Sequence, residues 1–437
     1  MLRFALLSAL AGASAVLMAA AAPMPDASAR PGVDAPELAG LGAYQVGVAD
    51  AEFVQPGQAD PLLGKDRPAI GDRHLLLKIW YPAVAAAGKG TLYRSALPGE
   101  DGKDVAFTVP GIATPGAAAA KGRFPLVILA HGYSNTPEVL SWLGENLASK
   151  GYVVVAPAFR DPPINIRTAA AAAGPLARRP LDIAFVAAEA QRRARAGQGP
   201  FATADADRIV LIGYSMGGYG VLTAAGAPLD PGMASATRDV LAPYVAGGPK
   251  AGELKVAGVK AVVAIAPASV LRGTRMWAPP GVGAIATPTL FIVGSQDHAV
   301  GYDPGVRTLF DQEIHAPRYL LTFREAGHSI ALIGVPPTMR NSYWDKDWFE
   351  DAVWRKDRLM AIEAHFITAF LDRYVKGDTA KGAYIDGLVP NSNDGTWAAA
   401  PVGRYAGYSP GAPQATLWKG FQPNKASGMS FEFRAAE

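Results

Sequence analysis

Three side chains in this sequence can together make an activated nucleophile: Ser215, His328 and Asp297. Ser215 lies in the run Gly213-Tyr214-Ser215-Met216-Gly217-Gly218, after an apolar strand-like stretch (residues 208–212) and before an Ala/Leu-rich helix-like one (219–225). In that context a Gly-x-Ser-x-Gly turn forces the serine into a strained backbone and lifts its hydroxyl clear of the sheet. Gly213 and Gly217 are expected where a Cβ would clash between strand and helix, and Gly218 where the helix packs close. A serine hydroxyl is a weak nucleophile until a neutral imidazole takes its proton. A buried carboxylate must then hold the imidazole tautomer and stabilise the imidazolium that forms.

Both partners follow in chain order, each just past an apolar run. Residues 289–294 lead to Asp297, and residues 318–323 lead to His328. Asp303 and Asp311 are the lesser candidates for the acid. The other histidines fit the base poorly. His74 precedes the nucleophile in an early strand, and His298 adjoins Asp297. His315 comes before the last strand of the series, and His365 falls in a helical stretch. Acyl transfer also builds charge on a carbonyl oxygen, which two fixed N–H donors stabilise. One is expected from Met216, next to the nucleophile. The other is expected from Tyr133, with Ser134 as alternative, in the loop after the apolar run 124–130. His131 in that loop is expected to be structural.

These groups need a scaffold that brings strand ends together. Apolar strand-like runs alternate with helix-like stretches: 126–130 then 137–150, 152–156 then 180–196, and 209–213 then 216–225. Runs at 259–266, 289–293 and 319–323 follow. Such alternation implies an α/β fold, a mostly parallel twisted sheet with helices on both faces. Ligands then bind beyond the carboxyl ends of the strands, where all the motifs fall. Residues 357–374 carry apolar side chains at helical spacing (Leu359, Ile362, Phe366, Phe370) and predict the terminal helix. Residues 88–122 read as a surface excursion. Residues 226–258, inserted after the nucleophile helix, read as a cap or pocket loop. The aromatic run 341–349 reads either as helix packing or as an acyl-pocket wall or gate. Residues 386–437 read as an irregular C-terminal extension.

Half of the 437 residues are hydrophobic, enough for a large core, and the formal net charge is +3. No basic patch with interleaved aromatics suggests nucleic acid. Arg192, Arg193 and Arg195 read as a solvated helix end. Residues 1–29 form a basic start, an apolar middle and a small-residue end at Ala27-Ser28-Ala29: a signal peptide. An uncleaved anchor is the alternative. The expected product is periplasmic or secreted, with no stable membrane insertion after cleavage. With no cysteine there is neither lipoprotein lipidation nor a disulfide. Residues 30–40, rich in Pro and Ala, are expected to be a mobile leader, and residues 41–385 the catalytic domain. No metal or organic cofactor is implied.

The elbow at Ser215, the order Ser-Asp-His and the loop His131-Gly132-Tyr133 resemble the α/β-hydrolase superfamily. Within it, they are similar to secreted dienelactone-hydrolase-like and platelet-activating-factor-acetylhydrolase-like serine esterases. Two departures matter. Dienelactone hydrolases use a cysteine nucleophile, which this chain lacks. The acetylhydrolases take their acid from the position that here reads Ala266-Pro267-Ala268-Ser269-Val270, which offers no carboxylate. A second similarity, carried by Gly132-Tyr133, Ser215-Met216-Gly217-Gly218 and Trp142, is to polyester hydrolases and cutinases. Their aromatic clamp has no counterpart at residues 267–269. The resemblance implies a serine hydrolase that cleaves small-molecule or polymeric carboxylic esters through an acyl-enzyme. A polyester depolymerase is the alternative, and a binding protein on an inactive hydrolase fold the remote one.

Overall fold

Runs of Val, Ile, Leu and Ala buried on both faces become inner strands, because a sheet covered by helices leaves no face for polar alternation. The computed structural model describes residues 27–84, 90–397 and 415–437. The apolar part of the expected signal peptide therefore lies outside the described residues. The strands are β1 (Gln45–Asp60), β2 (Ala69–Ala83), β3 (Thr91–Pro98), β4 (Asp104–Gly111), β5 (Thr114–Pro115), β6 (Phe124–Ala130) and β7 (Val153–Pro157). They continue with β8 (Ala204–Tyr214), β9 (Val259–Ile265), β10 (Val270–Leu271), β11 (Thr274–Arg275), β12 (Thr289–Gly294), β13 (Arg318–Phe323) and β14 (Met429–Arg434). The helices are α1 (Ser141–Ser149), α2 (Ala169–Arg195), α3 (Met216–Ala225), α4 (Met233–Ala236), α5 (Arg307–Gln312), α6 (Tyr343–Phe349) and α7 (Lys356–Tyr374).

Ten strands form one sheet in the order β14-β13-β12-β9-β8-β6-β7-β2-β1-β5. The six from β13 to β7 are parallel, while β2 and β14 pair antiparallel at either end of that block. Alternate residues of β6 show the two layers: Val127 and Leu129 pack with α1 and α7, and Leu126 and Ile128 with α2 and α3. This is the α/β-hydrolase fold, and the nucleophile helix α3 follows the central strand β8. Leu359, Ile362, Phe366 and Phe370 of α7 are all buried. Among the described residues no helix is long and apolar enough to cross a membrane.

Four peripheral segments differ from their sequence readings. The excursion at 88–122 contains the hairpin β3–β4. It is docked on the body through Trp80 Nε1, which donates to Tyr93 Oη (2.8 Å), and Tyr93 Oη, which donates to Glu145 Oε1 (2.6 Å). Residues 30–40 are tied down rather than loose. His365 Nδ1 accepts the Leu38 N–H (3.1 Å), Lys150 Nζ donates to Leu38 O (2.6 Å) and Asn146 donates to Ala39 O (2.9 Å). Residues 226–258 bury Leu229, Met233, Leu241 and Val256 in the α2–α3 layer. Arg238 fastens the same segment to Pro61 O and Gly64 O of the β1–β2 turn. Residues 386–437 include β14, which covers the edge of β13 that would otherwise offer unpaired N–H and C=O groups. Trp418 from this extension is 1% exposed and packs on Phe366 and Phe431.

Candidate active site

The turn between β8 and α3 puts Ser215 at φ 53°, ψ −116°, a region that costs a non-glycine residue about 1–3 kcal/mol. Bonds on both sides hold it there: Ser215 N–H donates to Ile265 O (2.9 Å), and Ser215 O accepts the Ala268 N–H (3.1 Å). The glycines are required as expected. A Cβ on Gly217 would stand 2.1 Å from Ala130 O, one on Gly213 2.3 Å from Gly217 O, and one on Gly218 2.7 Å from Pro267.

The ends of β12 and β13 deliver the other two groups. His328 Nε2 lies 3.0 Å from Ser215 Oγ, and His328 Nδ1 lies 2.7 Å from Asp297 Oδ2. The Asp297 side chain is fully buried, and its Oδ1 accepts the N–H groups of Ala299 (2.9 Å) and Val300 (3.0 Å). Burial works to raise the Asp297 pKa. The hydrogen bond and charge of His328, with the two backbone donors, outweigh it and hold the carboxyl below its ordinary range. With an ionised acceptor on Nδ1, the His328 proton sits there and Nε2 is free to accept from the serine.

The rival residues lie elsewhere. His74 pairs with Glu52, His315 Nδ1 contacts Gly283 O, and His365 is buried under the N-terminal segment. Asp311 pairs with Arg307 and Arg434, and Asp303 is exposed. His131 is buried, with Nδ1 2.8 Å from Gly132 O and Nε2 accepting the Phe159 N–H (3.2 Å). A carbonyl only accepts and an N–H only donates, so this imidazole is neutral with its proton on Nδ1. Burial and the nearby Arg179 charge lower its pKa to about 3, so it stays neutral at working pH.

Of the two loop candidates for the oxyanion, Ser134 N–H is occupied by Asp161 Oδ2 (2.9 Å). Tyr133 N–H has no hydrogen-bond partner among the described residues. Met216 is the first residue of α3, where backbone N–H groups lack intrahelical acceptors. Gly132 brings the loop close, since a Cβ there would lie 3.1 Å from Ser215 Cβ.

Ser215 and His328 open into a hollow of about 180 Å³ whose lining includes Tyr133, Ile164, Val270, Leu271, Leu332 and Trp348. No residue of 226–258 lines it, which corrects the reading of that insertion as a pocket loop. Its apolar side chains are buried in the α2–α3 layer instead. The wall role falls to the β10–β11 hairpin, where Val270 and Leu271 are aliphatic. From the aromatic run 341–349, Trp348 lines the hollow and donates through Nε1 to Asn135 Oδ1 (3.2 Å), while Phe349 packs on Phe107. That run therefore serves both readings.

Sequence reasoning gave no supporting role to three features, although Trp142 carries part of the resemblance to polyester hydrolases and cutinases. Tyr214, inside the elbow motif itself, stacks on His328 (centroids 5.2 Å apart) and donates to His328 O (3.1 Å). Trp142 Nε1 donates to Ala331 O (2.8 Å), anchoring the loop after His328. Asp161 and Arg179 stand under the oxyanion loop. Asp161 carried a weak signal, as an acid just beyond a strand end, and Arg179 carried none. Among the described residues no cluster of His, Asp and Glu could hold a metal ion.

Fold and site define the class: an α/β-hydrolase. The PET hydrolase-like family matches residues 106–237, which span Tyr133, Ser215 and Met216. Among solved structures, a ferulic acid esterase from Streptomyces cinnamoneus superposes with a TM-score of 0.50 at 19% identity, covering 76% of this chain and 91% of that one. At that identity the likeness speaks for the fold. No curated protein matches the sequence. With the family match over the elbow and oxyanion loop, the chain is a carboxylic-ester hydrolase.

Proposed function

We propose an exported serine esterase that hydrolyses small carboxylic esters through an acyl-enzyme. Ser215 attacks the carbonyl while His328 takes its proton. Tyr133 and Met216 N–H groups hold the oxyanion, and His328 then protonates the leaving alcohol. Water activated by His328 releases the acid, and Asp297 keeps the imidazole oriented throughout. The observation that carries this proposal is the unbroken relay Asp297–His328–Ser215, at 2.7 and 3.0 Å, on the floor of an apolar hollow.

The hollow also speaks to the substrate. At about 180 Å³ it is close to the roughly 150 Å³ that admits one benzene ring in an apolar cavity. A short acyl chain or a single aromatic ring beside Trp348 fills this hollow, and a palmitoyl chain would have to extend beyond it. p-Nitrophenyl acetate and butyrate should be turned over far faster than the octanoate and palmitate, with Ser215→Ala as blank. A preference for palmitate would overturn the small-ester assignment.

A polyester depolymerase is the second reading, favoured by one observation besides the family match. Val270 and Val300 line both this hollow and a second one of about 400 Å³, so the cleft can run on along a longer chain. Release of soluble acid from an aromatic polyester film at a rate comparable to that from the monomeric ester would select it. Export rests on residues 1–29, and N-terminal sequencing of the protein recovered outside the cytoplasm tests it. A retained Met1 would favour the anchor.

A further inference from the structure

A buried ion pair outside the triad lies against the loop that carries Tyr133. Arg179, from the middle of α2, and Asp161, from the loop after β7, have fully and almost fully buried side chains. Their contact is two-pronged: Nη1 to Asp161 Oδ1 at 2.8 Å and Nη2 to Asp161 Oδ2 at 2.5 Å. The remaining bonds of both side chains go to the segment after β6. Arg179 Nη2 donates to Gly132 O (2.9 Å) and Nε to His131 O (3.4 Å), while Asp161 Oδ2 accepts the Ser134 N–H (2.9 Å). The guanidinium lies over the Phe159 ring, 3.9 Å from its centroid.

Peptide geometry converts these bonds into aim. In a trans peptide the C=O and the following N–H point in opposite directions. Gly132 O and Tyr133 N–H belong to one peptide unit. Arg179 and His131 Nδ1 draw Gly132 O down into the protein, so Tyr133 N–H must point the other way, away from Arg179. Asp161 meanwhile removes the competing donor, Ser134 N–H, from the site. Both loops are held in conformations that side chains rarely adopt, Ser134 at φ 54° and Arg160 at φ 57°, as expected where surrounding bonds impose a shape.

We propose that Arg179 and Asp161 are positioning residues, which act through the Gly132–Tyr133 peptide to preorganise the oxyanion hole. The proposal rests on the serine-esterase reading above. It assigns them no contact with substrate. Their effect should therefore fall on the transition state and spare ground-state binding.

The test uses p-nitrophenyl butyrate together with a trifluoromethyl ketone, which forms a tetrahedral oxyanion adduct on an active serine. Arg179→Lys, Asp161→Asn and the double variant Arg179→Met/Asp161→Asn are compared with the parent protein. The double variant leaves no uncompensated buried charge, so it guards against simple unfolding of the single ones. Expected is a fall in kcat on the order of 10²-fold, the scale of losing one oxyanion donor, with KM within a few-fold. Inhibition by the ketone should weaken in proportion to kcat/KM. Arg179→Lys, which keeps a donor towards Gly132 O, should retain more activity than the double variant. A folded double variant with parental kcat would overturn the proposal. So would a loss of kcat with ketone affinity unchanged. Absence of Ser215-dependent turnover in the parent protein would instead overturn the esterase reading, which keeps the two failures apart.

Discussion

Ser215→Ala lowers kcat by on the order of 10⁶-fold, His328→Ala lowers it about as far, and the double variant is no worse than either. The magnitude follows from their acting as one unit. His328 Nε2, 3.0 Å from Ser215 Oγ, is useful only if there is a hydroxyl to deprotonate, and the hydroxyl is inert without it. What remains after either change is the binding hollow and the N–H donors at Tyr133 and Met216, which retain about 10³–10⁴-fold over water. Ser215→Ala removes one oxygen atom and keeps the backbone bonds to Ile265 O and from Ala268 N–H. Its thermal midpoint should stay close to that of the parent. Initial rates at saturating p-nitrophenyl butyrate, with circular dichroism to verify folding, measure all three variants. Residual activity above about one part in 10³ in the Ser215 variant would mean a different nucleophile. Additive losses in the double variant would mean that the two residues act separately.

The geometry of the candidate site was legible because it is written in short local patterns. The glycines around Ser215 report a backbone position, and their spacing follows from clashes as close as 2.1 Å that any Cβ would cause. Asp297 and His328 were found because each sits a few residues past an apolar run, and a parallel sheet brings such ends together. The supports were hidden for the opposite reason. Arg179 lies in a long helix where an arginine is ordinarily a solvated residue. Its role depends on a loop 47 residues earlier meeting it in space. The insertion 226–258 looked like a cap or pocket loop because it does not fit the strand–helix repeat, yet Leu229, Met233 and Leu241 are too apolar to stay outside. The C-terminal strand did leave a trace. Met429, Phe431 and Phe433 alternate with polar residues, the period of a half-covered edge strand, but after a Gly/Pro-rich stretch the pattern is only six residues long. Residues 30–40 are held by Lys150 and His365, two groups whose ordinary place is the surface.

Asp297→Asn should lower kcat by about 10⁴-fold with little change in folding stability, and the cause is the direction of one proton. Asp297 Oδ1 faces two donors, the N–H groups of Ala299 and Val300. An asparagine there has one oxygen and one NH₂, and only the oxygen can face those donors. The NH₂ must then face His328 Nδ1, which has to accept. That moves the imidazole proton to Nε2, where it points at Ser215 Oγ and cannot take the serine's proton. Asp297→Ala makes a different error. It gives up the anchor for residues 299–300, so it should be the less stable variant, but it leaves His328 free to adopt the working tautomer part of the time. The expected order is therefore Asn below Ala in kcat and Asn above Ala in thermal midpoint. KM should be nearly constant in the asparagine variant, which keeps the Ala299 and Val300 N–H groups engaged, and should rise in the alanine variant, which frees these two residues of the hollow's lining. Parallel measurement of kcat and unfolding in the two variants decides it. An asparagine variant within about tenfold of the parent, or one more active than the alanine variant, would remove Asp297 from its role in fixing the tautomer.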